Sequence, residues 1–203
     1  MICRDRVSGT GRPHCRSAAM KIARTASIAL IVGAALALGA CATLQRGPVG
    51  NAAVPQPTKP VDLNRYAGLW YEIGRYENGF ERGCEGVTAQ YTVRDDGLVG
   101  VLNTCRQGTV DGPEKTSEGK AKIVEGSDNA KLKVSFFGPF YVGDYWVLDH
   151  ADDYSWSIVG EPSGRYLWLL SRTAQPSPSV RDTILTRARS LGYDLTLVRT
   201  TQH

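Results

Sequence analysis

Gly68-Leu69-Trp70-Tyr71 opens a long series of short alternating strands, and Ser171-Arg172-Thr173 closes the last one before the only convincing helix. A tryptophan at one end of a closed barrel needs a lid. A guanidinium laid over its face supplies one, through cation–π attraction and hydrogen bonds to nearby carbonyls. Gly68, Trp70 and Arg172 are therefore read as one structural group that plugs one end of a barrel.

Outward from these residues the apolar side chains recur with a period of two. Val87, Ala89, Tyr91 and Val93 alternate with Thr88, Gln90 and Thr92. Asp95-Asp96-Gly97 turns the chain, and the return strand carries Val99, Val101 and Asn103 on one face. Gly119, Ala121 and Ile123 alternate with lysines, as do Leu132, Val134 and Phe136. Further strands are expected at 68–76, 143–149, 154–160 and 166–172, giving eight. Strands this short, joined by tight turns, predict an all-β sandwich or an up-and-down antiparallel barrel. Eight strands leave room for the barrel's own side chains or for one small ligand. The helix is expected over 178–191, capped by Ser177 with Pro178 in the first turn and ended by Gly192. Its stripe of Val180, Ile184, Ala188 and Leu191 lays it on the outside of the sheet, over Trp156. Residues 194–199 read as a short final strand.

If Arg172 turns inward, Leu170, Trp168 and Tyr166 do so too, the last two nearer the middle and the mouth. With Tyr91, Ala89, Val101, Ala121, Val134, Phe136 and Tyr141 they are the expected cavity wall. Gly138-Pro139-Phe140-Tyr141 joins two strands at the expected open end. Its aromatics either gate the cavity or belong to a rigid turn covered by apolar packing.

The N-terminal part has a different logic. Met20 is followed by Lys21 and Arg24, an apolar run from Ile28 to Leu38, and small residues. This is the layout of an export signal, with a run too short for an ordinary transmembrane helix. Residues 1–19, with Arg4, Arg6, Arg12 and Arg16, fit no part of it, and translation is expected to start at Met20. Leu38-Gly39-Ala40-Cys41 ends the signal over 20–40 in the pattern of a lipoprotein cleavage site, with Cys41 acylated. An ordinary cleavage site beside a cysteine is the alternative. Residues 41–60 carry Pro48, Pro55, Pro57 and Pro60 and read as a flexible tether, and 61–203 as one domain.

The net charge of +4 changes meaning once the signal is removed. Taking the six basic and one acidic residue of 1–40 from totals of 24 and 20 leaves 18 and 19, net −1. Nothing then argues for nucleic acid. With Cys3 and Cys15 outside the mature chain and Cys41 acylated, Cys84 and Cys105 remain, flanking a hairpin in an oxidising compartment. They are expected to form a disulfide, two free thiols being the alternative.

Several further stretches fall in order along residues 61–201. Besides Gly68-Leu69-Trp70 they include Tyr71-Glu72-Ile73, Val134-Ser135-Phe136-Phe137-Gly138-Pro139-Phe140-Tyr141, Gly143-Asp144-Tyr145 and Tyr166-Leu167-Trp168-Leu169-Leu170-Ser171-Arg172-Thr173. Together with the Cys41 motif they resemble the bacterial outer-membrane lipocalins, relatives of apolipoprotein D. The chain departs from the commonest second motif of lipocalins in having Gly143 where a threonine is usual. The resemblance implies an eight-stranded barrel with one helix outside, anchored by acyl chains in the outer membrane and facing the periplasm. It implies a carrier of fatty acids or lysophospholipids, with no cofactor and no metal; related proteins make a homodimer one of the assemblies open to it, and the sequence does not fix the oligomeric state. Ala42, where an aspartate would favour inner-membrane retention, agrees with the outer membrane.

Catalysis finds little in the sequence. A Gly-x-Ser-x-Gly elbow is absent, and Ser163 sits in a turn. His150 lies near Asp149, Asp152 and Asp153 but has no placed nucleophile. No inward carboxylate is expected beside the cavity. The rivals to a lipid carrier are a barrel filled by its own side chains, serving a structural or interaction role, and an enzyme acting on a bound lipophile.

Overall fold

The computed structural model describes residues 47–203. The expected export signal, Cys41 and the first part of the expected tether lie outside the described residues. A four-residue helix, α1 (Leu63–Tyr66), leads into eight antiparallel strands. These are β1 (Gly68–Tyr76), β2 (Cys84–Val93), β3 (Val99–Gln107), β4 (Glu114–Ile123), β5 (Lys131–Ser135), β6 (Gly143–His150), β7 (Trp156–Gly160) and β8 (Leu167–Ser171). Each pairs with its sequence neighbour, and β1 pairs with both β2 and β8, which closes the sheet. Helix α2 (Pro178–Ser190) and a final strand, β9 (Val198–Thr200), follow.

Closure divides the apolar residues between two cores. Inside, Trp70, Tyr91, Val101, Ala121, Leu132, Val147 and Leu170 pack toward one end of the barrel. Outside, Ile184 and Ala188 of α2 cover Ile73, Ile158, Leu167 and Leu169, with Trp156 beside them. The two faces of β8 thus feed different cores, as a period of two requires. A bulge in β1 between Glu72 and Gly74 inserts Ile73, which joins the outer core while Glu72 stays on the cavity wall.

Four departures from the sequence expectations have simple causes. α1 is too short to show a helical period; Asp62 caps it by accepting from the Asn64 and Arg65 amides at 2.9 and 3.2 Å. β4 begins at Glu114, since its first half is polar on both faces and shows no alternation. The final strand is displaced: Leu195–Leu197 form a 3₁₀ turn, and β9 pairs with β1 where β2 has parted from it.

The fourth concerns the tether. Residues 47–60 form a strap fixed to the barrel rather than a free linker. The Gly50 and Asn51 amides donate to the Gly164 carbonyl at 2.9 and 3.2 Å, and the Asn51 side chain donates to the Leu191 carbonyl at 2.9 Å. Gly164 has φ +66°, and a Cβ there would lie 1.8 Å from the Asn51 carbonyl oxygen, so only glycine fits beneath the strap. Farther along, Lys59 donates to the His150 carbonyl at 2.8 Å, and the His150 Nε2 sits 3.1 Å from the Pro60 carbonyl oxygen. Most of these contacts use main-chain atoms, which leave no apolar pattern in a sequence.

Cys84 and Cys105 are joined by a disulfide between β2 and β3, with Cα atoms 5.4 Å apart. Closing a loop of 21 residues restrains the unfolded chain and is worth about 3 kcal/mol. Urea unfolding of the Cys84→Ser/Cys105→Ser double variant should show a loss of that order. A midpoint equal to wild type would show that the cross-link contributes nothing to stability.

Candidate functional site: the barrel cavity

One end of the barrel is sealed by the group around Trp70. The indole is fully buried and donates to the Tyr66 carbonyl at 2.8 Å. The Arg172 guanidinium lies 3.7 Å from the centre of the Trp70 ring. It also donates to the carbonyls of Leu69, Arg65 and Ala67 at 2.7, 2.8 and 2.9 Å, satisfying acceptors at the end of α1. Gly68 has φ +96°, and a Cβ there would come within 3.4 Å of that guanidinium. Neither Trp70 nor Arg172 lines the cavity.

Above this plug lies a cavity of about 1000 Å³. Of the residues expected on its wall, Trp168, Tyr166, Leu170, Tyr91, Ala89, Val101, Ala121, Val134 and Phe136 line it. Tyr141 does not. Its ring faces the outward lysines of β4, with the Lys122 and Lys120 ammonium groups 5.0 and 5.9 Å from its centre. The turn at 138–142 puts Phe140 and Val142 on the mouth and Tyr141 on the opposite side. Phe137 and Phe140 are largely exposed, so this turn has no apolar cover.

The floor carries a tyrosine cluster that strand alternation did not reveal. The Tyr66 and Tyr145 hydroxyls meet at 3.0 Å, Tyr145 and Tyr91 at 2.9 Å, and Tyr66 and Ser157 at 3.0 Å. Burial raises Tyr66 to about 12, against opposing hydrogen bonds from Ser157 and Tyr145, and burial likewise lifts Tyr91 and Tyr145 well above their ordinary value. The cluster is neutral at ordinary pH and gives an otherwise apolar floor a few hydroxyls.

Glu72 corrects the expectation that no carboxylate faces inward: it lines the cavity and is only 2% exposed. Arg75 donates to its Oε1 at 2.7 Å, and Thr201 donates to the same oxygen. Arg75 itself is fully buried and donates onward to the Glu81 and Cys84 carbonyls at 2.9 and 3.2 Å. Arg75, three residues beyond Glu72, would lie on the opposite face of a regular strand, and the bulge brings the two to the same face. Burial, reinforced by the Glu81 carboxylate, pushes Glu72 up to about 7, against the pull of Arg75. A carboxyl raised in the folded state binds more protons there than in the unfolded chain, so stability falls as pH rises from about 4.5 through 7. Thermal unfolding should show wild type losing about 1–3 kcal/mol over that range relative to Glu72→Gln. Parallel pH profiles for the two proteins would place the Glu72 carboxyl at its ordinary value.

At the mouth, Trp168, Tyr166 and Phe80 form an aromatic stack with ring centres 5.6 and 5.8 Å apart. The Trp168 indole donates to the Glu81 carboxylate at 3.0 Å. Arg82 and Lys115 also line this end. His150 lies at the other end of the barrel; its Nδ1 faces the Ala151 carbonyl at 2.8 Å, and its ring stacks on Tyr154. It holds the strap and faces no nucleophile among the described residues.

This cavity, open at one end and sealed by tryptophan beneath arginine at the other, goes with a family-wide sequence pattern: the model for the lipocalin-like domain matches residues 61–203. The chain belongs to the lipocalin-like family. This lipocalin is 42% identical to the outer membrane lipoprotein Blc of Vibrio cholerae, over 76% of this chain and 90% of that protein. It is 45% identical to the outer membrane lipoprotein Blc of Escherichia coli K12, over 66% of this chain and 75% of that one. Its fold is similar to insecticyanin from the tobacco hornworm Manduca sexta, with a TM-score of 0.59 at 22% identity, covering 78% of this chain and 87% of the other.

Proposed function

We propose that this lipocalin is a carrier, tethered to the outer membrane through acylated Cys41, that holds a fatty acid or a lysophospholipid for storage, transport or repair of the cell envelope. The observation that carries the reading is the cavity of about 1000 Å³ with a largely aliphatic and aromatic wall. A space of that size argues against a barrel filled by its own side chains. Transferring an acyl chain of about sixteen carbons out of water gains some 12 kcal/mol gross at about 0.8 kcal/mol per CH₂. Losses of ligand freedom remove several kcal/mol of this, which leaves affinities in the micromolar range or tighter. Arg82 and Lys115 stand at the mouth together with Glu81 and Glu161, so the rim offers charge of both signs to a head group. The relatives named outer membrane lipoprotein, together with Leu38-Gly39-Ala40-Cys41, support the location. The enzyme alternative gains an inward carboxylate in Glu72, but that group is committed to Arg75 and Thr201.

Titrating oleate or lysophospholipid into the delipidated protein should change tryptophan fluorescence saturably, near one ligand per barrel or one per homodimer. Trp168→Ala should weaken binding by about 1–3 kcal/mol through lost apolar contact. Trp156→Ala, outside the barrel, should reduce stability instead. Absence of saturable binding of any long acyl chain to folded, lipid-free protein would overturn the proposal.

A further inference from the structure

The N-terminal part of the strap lies at the mouth of the barrel. The loops 77–83, 108–113, 136–142 and 161–166, which follow β1, β3, β5 and β7, all lie opposite the Trp70 plug. The first described residue, Gly47, is held between two of them: its carbonyl accepts from Arg165, and a Cβ on it would lie 3.5 Å from the Glu77 carbonyl oxygen. The chain therefore leaves the barrel at its open mouth. On the same rim stand the four most exposed large apolar side chains among the described residues: Phe80 at 68%, Phe137 at 83%, Phe140 at 68% and Val142 at 82%. They come from two separate loops that flank the cavity entrance. The turns at the sealed end carry instead Asp95, Asp96, Glu125, Asp128, Asp152 and Asp153.

We propose that the mouth of the barrel is seated on the bilayer, with Phe80, Phe137, Phe140 and Val142 inserted among the lipids, so that an acyl chain passes between membrane and cavity without crossing water. The inference rests on the acylation of Cys41. Six residue steps separate that cysteine from Gly47, a reach of about 20 Å even when fully extended. The ten-residue strand β2 spans about 25 Å along the barrel axis once tilt is allowed for. A tether that short, fixed at the mouth, does not reach past the barrel to set its sealed end on the membrane. An exposed apolar rim is costly in water and is satisfied by insertion at the depth of the lipid head groups and upper chains.

The test uses the full acylated protein in vesicles of phosphatidylethanolamine and phosphatidylglycerol, with some lipids carrying a nitroxide on the upper acyl chain. A fluorophore is placed by a non-natural amino acid at position 137 or at position 95. Emission from position 137 should shift to the blue and be strongly quenched by the nitroxide, while position 95 stays unquenched. In the unacylated Cys41→Ser protein, Phe137→Ser and Phe140→Ser should each weaken partitioning to these vesicles about tenfold. Flotation of the vesicles reports the anchor separately. A chain that does not float overturns both the acylation and the docking. A chain that floats with position 95 quenched, or with neither position quenched, overturns the docking alone. A blue shift at position 137 that is present without vesicles and grows with protein concentration would assign the rim to a second copy of the chain and equally overturn it.

Discussion

Trp70→Ala should destabilise the domain by about 3–5 kcal/mol, the cost of truncating a large, fully buried aromatic side chain. The loss has more than one source. The cavity left behind removes the packing of Trp70 against Tyr66, whose ring centre lies 5.0 Å away. The Tyr66 carbonyl loses its indole donor, and Arg172 loses the aromatic face it covers. Arg172→Ala should lower the melting temperature as well, since several carbonyls near α1 would lose a donor. Chemical denaturation monitored by far-ultraviolet circular dichroism measures both variants. If either kept wild-type stability but no longer bound lipid, the plug would belong to the binding site and not to the scaffold.

Arg75→Met should cost about as much, roughly 3–5 kcal/mol, for a different reason. The substitution keeps much of the side-chain volume but strands a buried carboxyl. Glu72 retains Thr201 as a donor and loses the guanidinium that balances it. The carbonyls of Glu81 and Cys84 lose donors at the same time. Adding Glu72→Gln should recover part of the loss, because an amide is buried neutral whereas the stranded carboxyl must first take up a proton. The double-mutant cycle in urea reads this coupling directly. Purely additive effects would mean that the two side chains stabilise the fold independently.

The barrel was legible because its strands obey one rule. Where one face meets the cavity and the other meets solvent, the alternation appears in the sequence, as at Val99–Asn103 or Leu132–Phe136. Nine of the ten residues expected on the wall line the cavity. The rule failed at Tyr141, in a turn, where backbone geometry and not strand period sets the direction of a side chain. Counted by twos from the inward Trp70, the rule also puts Glu72 on the inner face, since the bulge comes only after it; the expectation of no inward carboxylate departed from the rule at this residue. The hydroxyl cluster of Tyr66, Tyr91 and Tyr145 draws on three different elements, so no local spacing announces it.

If the chain is exported and acylated at Cys41 as proposed, the strap also has a bearing on the order of events. Its partners are remote: Asn51 donates to a carbonyl 140 residues downstream, and Gly50 is paired with Gly164 and Asp194. A chain that crosses a membrane with its N-terminus first delivers Cys41 long before those partners arrive. The strap can settle only once β7, β8 and α2 are in place, so it is among the last segments to be ordered. Until then, on the proposal that Cys41 is acylated, the cysteine precedes a strap not yet fixed to the barrel and is open to the enzymes that would cleave and modify it. Completion of the barrel then fixes residues 47–60, and a chain processed at arm's length would mature into a protein held close to the proposed anchor.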